Sequence, residues 1–117
     1  MPDKQILDIT RLEEAFEDDT AGIVELLEMA LETGRKHCVV LGEAIAAGDA
    51  TAAARAAHGI KGSAGNIGAN GVMGLAAELD SRARTGDLTG AADQLREIER
   101  GYAQVAEQVR IYRESLS

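Results

Sequence analysis

Ala56-Ala57-His58-Gly59-Ile60-Lys61-Gly62-Ser63-Ala64-Gly65-Asn66-Ile67-Gly68 is the stretch on which the fold turns. At about 3.6 residues per turn, Ala53, Ala57, Ile60, Ala64 and Ile67 share one face, so the segment reads as an amphipathic helix. His58 lies roughly opposite that stripe and is expected to face solvent. Its neighbours three, four and seven positions away are Ala54, Arg55, Lys61, Gly62 and Gly65, which are small residues and two cations. An imidazole in such surroundings is open to the surface of another protein.

The glycines sharpen this reading, because each costs about 0.8 to 1 kcal/mol relative to alanine inside a helix. Gly62, one turn after His58, leaves nothing to overhang the ring, and Gly65 extends the cleared ground. Ala54, Gly62 and Gly65 are therefore the expected docking surface. Gly68 and Gly71, near the end of the periodic run, read as turn or packing glycines.

Apolar spacing of the same kind recurs on both sides of this helix. Thr10-Arg11-Leu12-Glu13 has the capping-box pattern and predicts a short helix over about 10–16, packed on the rest by Leu12 and Phe16. After the acidic turn Glu17-Asp18-Asp19-Thr20, a long helix carries Ile23, Leu26, Leu27, Ala30, Leu31, Cys38, Leu41 and Ile45, with Glu25, Glu28, Glu32, Arg35 and Lys36 outside. Gly48 suits its C-terminal stop and Asp49 the N-cap of the His58 helix. Asn70 is the expected cap of a third long helix with Val72, Leu75, Ala76, Leu79 and Ala83, ended by Thr85-Gly86-Asp87. A last helix repeats Leu88, Ala91, Leu95, Ile98, Tyr102, Val105, Val109, Tyr112 and Leu116. The predicted fold is all-α, an antiparallel up-down-up-down four-helix bundle over about 20–116 with the short N-terminal helix packed on it. The last helix is expected to outrun the others through Tyr112 and Leu116, where a self-association surface could sit. The other stripes need it to close the core, so a monomer is expected.

Composition bounds what such a bundle can do. The 117 residues suit one domain, 1–117, with no room for a nucleotide-binding domain beside it. Apolar residues make up 45% and aromatics only 3%, so the core is built from Leu, Ile, Val and Ala. The one proline, Pro2, leaves every later segment free to be helical. A net charge of -8 argues against nucleic acid, whose phosphates would repel the surface. No stretch approaches the roughly 20 apolar residues that span a bilayer, and no basic-then-apolar signal segment opens the chain. A cytoplasmic protein without membrane association is expected, and the lone Cys38, which cannot form an internal disulfide, agrees with a reducing compartment. Cys38 reads as core and His37 as flanking or surface, since adjacent helical residues diverge too far to chelate.

A neutral imidazole is a good nucleophile near pH 7 and can accept a phosphoryl group as a labile phosphoramidate. Lys61 and Arg55 would stabilise the added negative charge. No second histidine, serine or carboxylate is placed by spacing as a general base for His58, and no metal-ligand cluster can be assembled. No cofactor of its own is expected, and the partner would have to bring the machinery, with carboxylate-held Mg²⁺ to clamp the phosphoryl group.

At His58-Gly59-Ile60-Lys61-Gly62, with Gly68, the chain resembles the histidine-containing phosphotransfer domain family of two-component phosphorelays. The resemblance extends over the short N-terminal helix, the hairpin carrying His58, and the segments Leu75-Ala76-Ala77-Glu78-Leu79-Asp80 and Ala83-Arg84-Thr85-Gly86-Asp87. It implies that His58 is the phosphoacceptor, that Lys61 contacts or orients the phosphoryl group, and that Gly62 makes room for the partner. The partners implied are receiver domains of response regulators or hybrid histidine kinases, each bearing a phosphorylatable aspartate. Two residues depart from the family pattern. Gly59 stands where threonine or serine is usual, which should loosen the helix beside the histidine. Asp80 replaces the more usual glutamate, with little effect expected.

The resulting expectation is a phosphocarrier rather than an independent enzyme. Its alternative is a non-catalytic helical module that binds a receiver, with His58 a mere contact. A kinase dimerisation segment is disfavoured, because it would carry an acidic residue where Gly59 stands and would continue into an ATP-binding domain.

Overall fold

The computed structural model describes residues 5–116, and Pro2 lies outside them. Five helices account for most of this span: α1 (Ile9–Ala15), α2 (Thr20–Ala46), α3 (Ala50–Asn66), α4 (Asn70–Arg84) and α5 (Ala91–Ser115). No strand occurs among the described residues. α3 packs between α2 and α4, α5 closes the ring between α4 and α2, and α1 rests on α2. The predicted stripes turn inward. Leu7, Ile23, Leu27, Leu41, Ile60, Ile67 and Ile98 are fully buried, and each such side chain contributes about 1.5–3 kcal/mol by leaving water.

The helix ends are set by local chemistry. Gly48, Gly68 and Gly86 adopt left-handed φ values of +69°, +72° and +83° just past α2, α3 and α4. The next amide then reaches back five residues, as Asp49 N to Ala44 O (2.9 Å), Ala69 N to Ala64 O (2.9 Å) and Asp87 N to Arg82 O (3.1 Å). These Schellman closures satisfy carbonyls that a helix end would otherwise leave bare. Asp49 also caps α3 by accepting from Ala52 N at 3.0 Å, as expected.

Three expectations are corrected here. α1 is capped by Asp8, whose side chain accepts from Arg11 N, rather than by Thr10. An oxygen two residues upstream offers the same capping chemistry, and it lies next to Leu7, whose burial anchors the entering chain. The cap position of α4 is Ala69, without a side-chain cap bond, and Asn70 is already helical. α5 does not outrun the bundle: its 25 residues are matched by the 27 of α2. Its C-terminal part packs along α2, where Arg113 Nη1 pairs with Glu28 Oε1 at 3.1 Å. Tyr112 is buried there, Leu116 is exposed, and Leu88 precedes the helix.

The N-terminal segment straps the α3–α4 connection. Asp8 N donates to Gly68 O (3.1 Å) and Gly71 N to Gln5 O (2.7 Å). Arg11 Nη2 donates to Gly65 O at 3.0 Å, placing a cation on the negative end of α3. This strap fixes the end of the helix that carries His58.

Candidate functional site

α3 and α4 meet through small residues. Ala53, Ala57 and Ala64 on α3 and Ala76 and Ala83 on α4 are all buried at 2% exposure or less. Without larger side chains the helices approach closely, and even the short Asp80 side chain spans the gap from α4. Its Oδ2 lies 3.4 Å from His58 Nδ1, while the histidine side chain stays 64% exposed. A carboxylate only accepts, so Nδ1 carries the proton and Nε2, on the far side of the ring, keeps its lone pair.

Asp80 is itself 4% exposed. Burying an unpaired carboxylate costs several kcal/mol, so it requires partners. Arg84, one turn later, supplies them: Nε donates to Oδ1 at 2.8 Å and Nη2 to Oδ2 at 3.3 Å. Burial pushes the Asp80 carboxyl up, but the hydrogen bonds and charges of Arg84 and His58 outweigh it and hold the group below the ordinary carboxylate value. At working pH the histidine therefore leans on an anion already shared with an arginine.

His58, Asp80 and Arg84 line a cleft of about 350 Å³ with Thr51, Ala54, Arg55 and Ala83. Of the expected site residues, Arg55 is thus placed beside the histidine. Lys61 is exposed one turn further along α3 and does not line the cleft. Gly62 is exposed, and a β-carbon there would have nothing within 4 Å, in keeping with open ground.

Two expected docking residues are corrected. Ala54 is buried at 9% exposure and forms cleft floor, because α4 packs over that side of α3. Gly65 is not cleared ground either: a β-carbon there would lie 3.1 Å from Met73 Sδ, and its carbonyl accepts from Arg11. The space beside it belongs to α4 and the strap.

Asp80 and Arg84 are what sequence reasoning missed. Spacing along the chain places no carboxylate as a general base for His58, and Asp80 is expected from sequence to have little effect; the structure sets that carboxylate against the imidazole. A signal was present: Asp80 borders the stripe Ala76, Leu79, Ala83 and pairs four residues on with Arg84, as a buried acid would need. Gly59 is also reread. A β-carbon there would lie 2.6 Å from His37 Cε1, so the ring of a half-buried His37 on α2 fills the room that a side chain would take.

Cys38 is buried, as expected, and burial, aided by the nearby Glu99 charge, pushes its thiol up to about 11. Among the described residues no group of three or more His, Cys, Asp or Glu side chains could hold a metal ion, and no helix is long and apolar enough to cross a membrane.

The Hpt domain family model matches residues 25–108. The crystal structure of histidine-containing phosphotransfer protein B from Pseudomonas aeruginosa PAO1 is similar over 93% of this chain and 95% of that one, with 31% identity and a TM-score of 0.83. No curated protein matches.

Proposed function

The chain belongs to the Hpt domain family, and from that premise we propose that His58 is the residue through which it acts. Its role is histidine phosphotransfer in a phosphorelay. The observation that carries the assignment to His58 is the exposed imidazole held at Nδ1 by buried Asp80, which leaves Nε2 as the nucleophile.

In the proposed step, the Nε2 lone pair attacks the phosphorus of an aspartyl phosphate on a receiver domain. The acyl O–P bond breaks and its electrons return to the receiver carboxylate. The N–P bond that forms leaves positive charge on an imidazole still protonated at Nδ1, and Asp80 opposes that charge. Reversal onto a second receiver completes the relay. Arg55 lines the cleft and Lys61 is exposed one turn from the histidine, so both are assigned contacts with the phosphoryl oxygens. Gly62 admits the partner's surface. Mg²⁺ bound by the receiver supplies the remaining charge neutralisation.

This reading makes the protein a phosphocarrier and not an enzyme in its own right. We take residues 1–117 as one domain, a cytoplasmic monomer whose four long helices run alternately up and down. Short connections between successive helices support that topology. Its partners are receivers of response regulators or hybrid kinases.

The test is transfer from a Mg²⁺-loaded, phosphorylated receiver to the wild type and to His58→Gln, with intact mass and acid lability of the product. Acid-labile label on the wild type alone is expected. Binding of receivers by both proteins with transfer to neither, across a broad panel, would instead establish a non-catalytic module.

A further inference from the structure

Asp80 serves two partners with one carboxylate. Arg84 takes both oxygens, through Nε at 2.8 Å and Nη2 at 3.3 Å, while His58 Nδ1 reaches only Oδ2, at 3.4 Å. The oxygen nearest the histidine is thus also the acceptor of a guanidinium nitrogen. A planar, permanently charged fork competes well for a carboxylate. Arg84 is nonetheless 63% exposed.

We infer that Arg84 is a positioning residue that sets the lifetime of the phosphorylated histidine by limiting how much of the Asp80 charge reaches His58. The inference rests on His58 as phosphoacceptor. A phosphoryl group on Nε2 leaves most readily when Nδ1 is protonated, because the departing group is then neutral imidazole rather than imidazolate. The N–P electrons return to Nε2 and the Nδ1 proton stays in place. An unshared Asp80 carboxylate favours that protonated form, since an adjacent anion stabilises a cation. Arg84 offsets part of the carboxylate charge and therefore lowers the share of the phosphorylated ring that stays protonated at Nδ1, which slows its loss.

The other charged groups near the ring are Arg55 in the cleft and Lys61 one turn on, both from α3. As cations they also disfavour Nδ1 protonation, but neither is bonded to Asp80 among the described contacts. Only Arg84 acts through the carboxylate. That difference makes the inference testable by a double-mutant cycle.

The protein is loaded with phosphoramidate, a small donor that needs no receiver, and loss of the phosphoryl group is followed by intact mass between pH 5 and 9. Arg84→Gln is expected to shorten the half-life several-fold near pH 7.5 and to move the whole pH profile to higher pH. Arg84→Lys, which keeps the charge but loses the fork, returns the profile toward wild type. In an Asp80→Asn background, Arg84→Gln changes nothing further. An unaltered half-life in Arg84→Gln overturns the inference. So does an equal fold-change with and without Asp80, because the arginine would then act on the ring or the phosphoryl group directly. Wild type that loads with phosphoramidate yet takes nothing from any receiver would defeat the relay reading while leaving this measurement intact.

Discussion

The ring of His37 on α2 occupies the place of a missing side chain on α3: a β-carbon at Gly59 would lie 2.6 Å from its Cε1 and 2.9 Å from Nδ1 and Nε2. Gly59 adjoins His58, so this contact bears on the backbone beside the histidine. A glycine in mid-helix is unfavourable by about 0.8–1 kcal/mol relative to alanine, and here the cross-helix contact offsets that cost. Gly59→Ala in the wild type should therefore bring no gain in stability. In a His37→Ala background the same change should stabilise by about 1 kcal/mol. Urea unfolding of the four proteins measures the coupling, and an equal gain in both backgrounds would remove His37 as the reason for the glycine.

Gly62 presents the opposite case. Its surroundings are open, with nothing within 4 Å of a β-carbon. Gly62→Ala is expected to stabilise the helix by about 0.8–1 kcal/mol, the plain propensity difference. Gly62→Glu is expected to fold normally and to slow transfer from a phosphorylated receiver about tenfold or more, through bulk and charge on this exposed side of α3. Transfer at the wild-type rate in Gly62→Glu would show that the partner does not approach over this residue.

How much of this was legible along the chain follows from the range of each interaction. The stripe Ala53, Ala57, Ile60, Ala64, Ile67 is a local periodicity, and it fixed both the helix and the exposure of His58. Stops at Gly48, Gly68 and Gly86 were equally local. Asp80 lies 22 residues from His58, and their contact depends on how closely two alanine-faced helices approach, which no spacing within one helix reveals. The pairing of His37 with Gly59 is hidden for the same reason. Gly65 misled because a small residue looks alike whether it clears space for a partner or yields it to Met73. At α1, Asp8 and Thr10 both carried capping oxygens, and the burial of Leu7 favoured the earlier one.

Gly34 on α2 tests the tighter end of that distinction. A β-carbon there would lie 2.4 Å from Tyr102 Cζ and 2.6 Å from its hydroxyl oxygen, and both residues are buried. The clash falls on the ring of Tyr102, which is 6% exposed within the core cluster. Gly34→Ala should therefore destabilise by about 1–3 kcal/mol, the usual cost of overpacking, despite the better helix propensity. The readout is the urea midpoint, and a stabilised Gly34→Ala would mean that the ring shifts freely.

Asp80 links stability to pH in a direction that its partners determine. Its carboxyl is held below the ordinary value of 3.8 in the folded protein, so between the folded and unfolded values the unfolded chain binds more protons. Its contribution is therefore present above about pH 4 and is lost as pH falls through the folded value. Asp80→Asn keeps the shape but removes the charge that Arg84 and His58 share. It should cost about 1.5–3 kcal/mol at pH 6, the range for hydrogen bonds to a charged group. As pH falls through the folded value the gap should close, because the wild-type carboxyl is then protonated as well. Unfolding midpoints across that range decide the matter: a gap that stays constant would show that the contribution of Asp80 comes from packing and not from its charge.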